Sequence, residues 1–258
     1  MGNTDTQRTA MVTGGGVGLG RKISLALSEH GYRVAVTDIE GVEETTRDIE
    51  DQGGEALAID LDLTNPRQIE RAVATILDQW GCIDVLVNNA GIAGPTAPVS
   101  GVALEDWEHV IAVNLTGSFL CAKAVYRHMM ARRSGSIVNI SSMAGRIGLP
   151  LRAPYVASKW AVVGLSRTLA VELGPYNVRS NAICPGPVEG DRIERVLRDR
   201  CLATGLSDAE VRAEFTDHIA LRRMIPPEDI AEMVLFLASD ASRSVTGQAI
   251  HVCAGLNL

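Results

Sequence analysis

The stretch "TAMVTGGGVGLGRKISLALSEHG", residues 9–31, joins three signals that decide the fold. A short apolar run, "TAMVT", ends at Thr13 and reads as a buried strand. A glycine-rich turn follows, with Gly14, Gly18 and Gly20 as its key positions. Leu19, Ile23 and Leu27 then recur at helical spacing until Gly31 stops the pattern. A glycine turn between strand end and helix start lets backbone N–H groups and the helix dipole hold a pyrophosphate. The glycine spacing departs from the common G-x-G-x-x-G, so its place in a strand–turn–helix unit carries more weight than the motif itself.

The alternation continues along the chain. "YRVAVTD" is a strand ending at Asp38, followed by a Glu-rich helix. "EALAIDLD" precedes the helix "PRQIERAVATILDQWG", and "IDVLVNNAG", "GSIVNISS", "VRSNAICPG" and "GQAIHVCAG" complete the strands. Continuous rather than alternating apolar strands mean a parallel sheet covered on both faces. Right-handed crossovers then give an α/β, Rossmann-type doubly wound parallel β-sheet. No linker, repeat or low-complexity segment interrupts residues 1–258, so one domain is expected, with a disordered tail over residues 1–7.

Composition excludes several classes. With 31 acidic against 24 basic residues the net charge is -7, which argues against nucleic acid or an anionic membrane as partner. Five scattered cysteines without a CxxC fit a reducing, cytoplasmic setting and no disulfide framework. No His spacing suggests a metal site. There is no signal-peptide pattern and no apolar run long enough to span a bilayer. "MGNTDT" fits the loose N-myristoylation pattern at Gly2, read as a chance match without a polybasic second anchor.

Asp38 stands 18 residues past Gly20. A carboxylate there accepts hydrogen bonds from adenosine ribose hydroxyls and repels a 2′-phosphate. Val17 and Ile39 stand where a basic residue would welcome that phosphate, so NAD(H) is favoured over NADP(H). Asp38 as a cap of the next helix is the plainer alternative. "DLT" at 62–64 and "NNAG" at 88–91 follow the third and fourth strands, at the edge where such sheets bind ligands. Each taken alone is equally a polar turn. In "PYVASKWAV", residues 154–162, Tyr155 and Lys159 share one helix face a turn apart. Alone, the pair reads as a lysine snorkelling beside a core tyrosine.

Taken in order, these motifs resemble those of the short-chain dehydrogenase/reductase family, from about Arg8 to Gly255. "TGGGVGLG" is similar to the family's T-G-x-x-x-G-x-G turn. "NNAG" is similar to its stabilising turn below the adenine pocket, and "CPGPV" to the loop beside the nicotinamide. Tyr155 and Lys159 match Y-x-x-x-K, and Ser142 stands the usual thirteen residues earlier, chosen over Ser141. Asn114 matches the catalytic asparagine, against the alternative of a helix kink or a bond to backbone.

The resemblance implies hydride transfer between a nicotinamide and a secondary alcohol or ketone. Tyr155 would be the acid/base, with Lys159 lowering its pKa and bonding the nicotinamide ribose. Ser142 would hold the substrate oxygen, and Asn114 would fix a water in a proton relay. It implies cofactor contacts at Gly14, Val17, Gly18, Leu19 and Gly20, then at Asp38, Asp62, Leu63, Asn89, Ala90 and Gly91. Further along it implies them at Tyr155, Lys159, Pro185, Gly186 and Val188. A homotetramer is implied too, with small residues Ala157, Ser158, Ala161 and Gly164 available for close packing.

Two departures stand out. Gly190 occupies the position of a threonine that bonds the nicotinamide carboxamide, so backbone at Val188 is expected to take that contact. "CAG" at 253–255 replaces the usual "DGG", with a C-terminal contact to a neighbouring subunit's site as one consequence. The segment of about 187–222 is expected to form a substrate lid. Its arginines, with Arg152, raise the idea that Arg152 or Arg192 binds an anionic group. A solvated helix, its arginines paired with Glu194 and Asp199, is the favoured alternative. The other functions weighed are an NADPH-dependent 3-oxoacyl-type reductase and a dinucleotide-binding protein without turnover. A sugar-nucleotide epimerase is set aside, since it is expected to need a longer C-terminal substrate domain.

Overall fold

The computed structural model describes residues 7–256. Of the tail expected over residues 1–7, only Gln7 is among them, and the Gly2 pattern lies outside them. In chain order the elements begin with β1 (Thr9–Thr13), α1 (Gly18–Glu29), β2 (Arg33–Asp38), α2 (Val42–Asp51) and β3 (Ala56–Asp60). Next come α3 (Pro66–Trp80), β4 (Val85–Asn88), α4 (Leu104–Ile111), α5 (Ser118–Arg132), β5 (Gly135–Ile140) and α6 (Ala153–Leu173). The chain continues through β6 (Val178–Pro185), α7 (Asp191–Thr204), α8 (Asp208–Thr216), α9 (Pro227–Ala238) and β7 (Ala249–Val252). The seven strands form one parallel sheet in the order β3-β2-β1-β4-β5-β6-β7, the doubly wound architecture read from the sequence.

Strand pleating explains why two cores form. Every residue of β1 is buried. Ala10 and Val12 point into one core with α1, α2 and α9, while Met11 points into the other with α3, α5 and α6. Ile23 and Leu27, the apolar stripe of α1, are fully buried, each worth about 1.5–3 kcal/mol of burial. Local chemistry sets the helix ends. Asn65 caps α3 by accepting from the Arg67 and Gln68 N–H groups, Pro66 starts it, and Gly81 closes it at φ 73. α1 ends at Glu29 with His30 as its cap, two residues before Gly31.

Against the reading that no apolar run could span a bilayer, one continuous helical run, Leu104–Arg132, is long and apolar enough to do so by length and composition, because α4 and α5 join through a π turn. It contributes Cys121, Ala122, Val125 and Met129 to the core beneath the sheet. A π-helical turn, Ala112–Gly117, interrupts it between α4 and α5. All five cysteines are free. α7 and α8 fall within the expected lid segment and pack on each other around Ile193, Leu197 and Val211.

The first glycine turn packs on the turn after β2, with no room for a side chain at Gly16. A Cβ there would lie 1.9 Å from the Glu40 carbonyl oxygen. Gly16→Ala is therefore expected to cost about 1–3 kcal/mol of unfolding free energy. The measurement is a lower urea midpoint at unchanged m-value.

Candidate active site

A cavity of about 790 Å³ opens at the carboxyl ends of the strands. It lies where β1 and β4 are neighbours and the chain's winding direction reverses. Gly14 and Gly18 hold φ of 62 and 53, a left-handed conformation that side chains resist. Gly20 is needed for a different reason, since a Cβ there would sit 1.7 Å from the Gly14 carbonyl oxygen. A Cβ on Gly18 would meet nothing within 4 Å, and Gly18 lines the cavity. The N-terminus of α1 has no side-chain cap and no acidic residue in its first turn. Its first N–H groups are thus left for an anion, and the cradle fits a dinucleotide pyrophosphate.

Asp38 lies at the rim of this end. Its carboxylate accepts from the Gly16 N–H at 3.0 Å and from the Ile39 N–H at 2.8 Å. Burial pushes the carboxyl up from its ordinary value, against the pull of those two N–H bonds. Lone pairs remain on both oxygens for ligand hydroxyls. Val17, Leu19, Ile39, Glu40, Asp62 and Leu63 line the same end, which contains no Lys or Arg. Asp62 also accepts from both the N–H and the hydroxyl of Thr64 at 2.8 Å.

The "NNAG" turn is tied to β1. The Asn89 amide donates to the carbonyls of Thr13 at 3.0 Å and Gly14 at 2.9 Å. Thr13 Oγ1 accepts from the N–H groups of Asn89 and Ala90 in return. Asn89, Ala90 and Gly91 thereby face the cavity.

Tyr155 and Lys159 project from α6 into the opposite end. The Lys159 ammonium is 3% exposed, donates to the Ile140 carbonyl at 2.8 Å and lies 5.7 Å from the centre of the Tyr155 ring. Burial pushes its pKa down to about 8, partly opposed by Tyr155. Burial pushes the Tyr155 phenol up, yet Arg192, Lys159, a hydrogen bond to Ser142 and Arg152 together outweigh it. The net shift is downward. Ser142 lines the cavity and accepts from the Ala144 N–H at 3.1 Å. Ser141 is spent structurally, its hydroxyl donating to the Lys159 carbonyl at 2.8 Å.

Asn114 sits in the π-helical turn, behind the cavity wall. Its Oδ1 accepts from the Ile92 N–H at 2.7 Å, and its amide donates to the Ile92 carbonyl and to Ser158 Oγ. The reading in which it bonds backbone therefore describes its side chain. It still reaches the site through Gly91. A Cβ there would lie 3.0 Å from Asn114 Oδ1 and 3.4 Å from Lys159 Nζ.

Pro185, Gly186 and Val188 line the cavity beside Tyr155. Pro187 accepts from the Ile225 N–H and Glu189 donates to the Ile225 carbonyl. None of the described hydrogen bonds uses the Val188 N–H. Gly190 takes φ 126 ahead of α7, with open space around its missing Cβ. The "CAG" ending runs back into this chain's own site. Cys253 packs on Gly186, and Leu256 lines the cavity.

Arg152 and Arg192 both line the cavity beside Tyr155, their guanidiniums 5.2 and 5.6 Å from its ring centre. The favoured pairing of lid arginines holds in part: Glu194 is paired, but across to the next helix, and Asp199 is in no ion pair among the described residues. Glu194 bonds Arg212 of α8, and Arg200 bonds Glu214. Sequence reasoning missed His109, Val113, Phe215, His218 and Leu256 as lining residues. They come from separated elements and share no local motif.

With this geometry in hand, the comparisons with known proteins are specific. A family model described as Enoyl-(Acyl carrier protein) reductase matches residues 15–257. The 3-oxoacyl-[acyl-carrier-protein] reductase of Synechocystis sp. is 38% identical over 255 residues, 97% of each chain. The cis-4-hydroxycyclohexanecarboxylate dehydrogenase of Sinomonas cyclohexanicum is 38% identical over 260 residues, covering 99% of this chain and 98% of its own. Among solved structures, NAD+-bound xylitol dehydrogenase superposes with a TM-score of 0.92 at 32% identity, covering 97% of this chain and 99% of that one. A variant of the actinorhodin polyketide ketoreductase with NADPH gives 0.93 at 36%, covering 100% and 99%. The chain belongs to the short-chain dehydrogenase/reductase family and is an oxidoreductase.

The buried ammonium has a thermodynamic signature. The unfolded chain keeps Lys159 protonated to its ordinary 10.5, the fold only to about 8. Between those values the unfolded chain binds more protons, so stability rises with pH. Across that window the native protein is expected to gain about 3 kcal/mol relative to Lys159→Met. Urea unfolding of both proteins at stepped pH measures it.

Proposed function

We propose that this chain is an NAD(H)-dependent oxidoreductase interconverting a secondary alcohol and a ketone. The observation that carries the reading is the Tyr155 phenol in the cavity, with Lys159 one helical turn on, its ammonium 5.7 Å from the ring centre, and Ser142 lining the same cavity. Against the effect of burial, Arg192 and Lys159 draw the phenol's pKa down. Bound nicotinamide dinucleotide supplies or accepts the hydride. The chain handles the proton. In alcohol oxidation the Tyr155 phenolate takes the hydroxyl proton, and in ketone reduction the phenol returns it. Lys159 stabilises the phenolate, and Ser142 holds the substrate oxygen where charge develops. Asn114 keeps the Ile92 backbone, and with it Gly91, against Lys159. NAD(H) is supported by Asp38 and Glu40, and by the lack of any cation lining that end of the cavity.

An NADPH-dependent 3-oxoacyl-type carbonyl reductase is the second reading, favoured by the names of several relatives. A dinucleotide-binding protein without turnover would have no use for the full set of Ser142, Tyr155 and Lys159.

Assembly as a cytoplasmic homotetramer completes the proposal. Phe119 of α5 and Trp160 and Val171 of α6 are large apolar side chains on the surface. Gly164 has open space at its missing Cβ, whereas Ser158 is committed inside the subunit. A second copy of the chain is the partner such a face suits.

Tyr155→Phe is expected to lower kcat by about 10²–10⁴ while cofactor affinity holds; near-native turnover would refute the mechanism. NADH is expected to outperform NADPH in kcat/KM, and Asp38→Ser combined with Ile39→Arg to reverse the order. Parallel assays on both cofactors decide between the two readings. Light scattering is expected to report four chain masses, and a monomer would exclude the assembly.

A further inference from the structure

Three positive charges surround the Tyr155 ring. Lys159, Arg152 and Arg192 lie 5.7, 5.2 and 5.6 Å from its centre. Lys159 has an evident task there, and the two guanidiniums exceed what a phenolate requires.

Arg152 is the more telling. It is only 8% exposed, yet no carboxylate lies within ion-pair distance among the described residues. Asp199 acts on it only from a distance. It donates to the Ala93 carbonyl at 2.9 Å and to Thr96 Oγ1 at 3.2 Å. Two neutral acceptors leave three of its five N–H groups over, and a neutral amide would serve them equally. Burying a charge without a counter-ion is costly, and buried charges are ordinarily paired. Arg192 enters from the start of α7, donating to the Gly91 carbonyl at 3.1 Å, also without an acidic partner among the described residues. Of the lid's acidic side chains, Glu194 bonds Arg212 and Glu214 bonds Arg200, and Glu189, which also lines the cavity, is in no ion pair with either guanidinium among the described residues. Around these cations the cavity wall carries a large apolar share, from Ile147, Leu149, Ile193, Val196, Phe215 and Leu256, with His109 and His218 among its polar members. The cavity thus combines a greasy wall, a proton-handling phenol and positive charge whose negative partner is missing.

We propose that Arg152, joined by Arg192 from the lid, binds a carboxylate on the substrate. The enzyme then acts on secondary alcohols or ketones that carry an acid group on an apolar carbon frame. This rests on the hydride-transfer reading above and adds its substrate class. A planar guanidinium suits a carboxylate through paired N–H donors. Fixing the acid there holds the apolar frame against the wall and presents its carbonyl to Tyr155 and Ser142.

The experiment uses the full chain with NADH and three ketones: 3-oxocyclohexanecarboxylate, 4-oxocyclohexanecarboxylate and 4-oxopentanoate, each against its methyl ester. Acids are expected to exceed esters in kcat/KM at least tenfold, mainly through KM. Arg152→Gln is expected to cut that ratio at least tenfold, and Arg152→Lys to restore part of it. A purely structural Arg152 would lower acid and ester together and leave the ratio unchanged. Arg192→Gln, on an exposed side chain that poses little folding risk, is expected to reduce the acid-to-ester ratio as well. Calorimetry in the presence of NAD+ reads binding without turnover, with cyclohexanecarboxylate expected to bind at least tenfold tighter than cyclohexanecarboxamide. Equal handling of acids and esters, with no difference in that calorimetry, overturns the proposal while leaving the hydride-transfer reading intact. No turnover of any acid, ester or neutral ketone with either cofactor defeats that reading itself, and this proposal with it.

Discussion

The amide of Asn89 holds two successive carbonyls of the first turn, Thr13 O at 3.0 Å and Gly14 O at 2.9 Å. That pair of bonds closes β4 against the end of β1 at the one place where the sheet changes its direction of winding. The rest of the site follows from it. With Gly14 pinned, α1 starts so close that Gly20 has no space for a Cβ. The unpaired N–H groups of that helix are then aimed at the cavity. On the other side of the same clamp, Ala90 and Gly91 are carried to the cavity floor, and Gly91 meets Lys159 and Asn114. A backbone approach this close leaves no room for a side chain at Gly14 or Gly20, so these two glycines are steric requirements of the crevice.

The cavity is electrostatically divided. Its cofactor end is lined by Asp38, Glu40 and Asp62, its reaction end by Lys159, Arg152 and Arg192. An acidic chain has thus gathered cations around a single phenol, where they offset the cost of ionising a buried tyrosine. α6 makes this possible because it is long and anchored. Its inner face, from Ser158 through Ser166 to Leu173, is buried along most of its length. Tyr155 and Lys159 are therefore held on a long buried element, and Arg192 enters from α7.

Much of the fold was legible in the sequence because parallel strands are buried on both faces and leave continuous apolar runs. All seven strands fall inside the stretches read as strands, and α3 carries its cap, proline and closing glycine in order. The choice of Ser142 over Ser141 rested on spacing alone; both line the cavity, and the Ser141 hydroxyl donates to the Lys159 carbonyl. Other features left no local trace. Nothing in "IAVNLTG" announces a π-helical turn, in which the Asn114 amide bonds the Ile92 backbone, a partner 22 residues away in sequence. The partners within the lid were only partly legible for a similar reason. Glu194 and its partner Arg212 stand on different helices, and sequence proximity favoured neighbours that point elsewhere.

The sequence by itself determined the class of fold, the glycine cradle, the acidic end of the second strand and the tyrosine–lysine spacing. Each depends on residues within a few positions of one another, where periodicity, φ preference and helix geometry act. Only the tertiary structure decided which charges go unpaired. Arg152 lies on α6's threshold and Arg192 on α7, forty residues apart in the chain, and both converge on Tyr155 because β6 returns the chain to the same sheet edge. Whether a guanidinium finds a carboxylate or an apolar wall is a matter of packing at long range, and no spacing in the sequence encodes it.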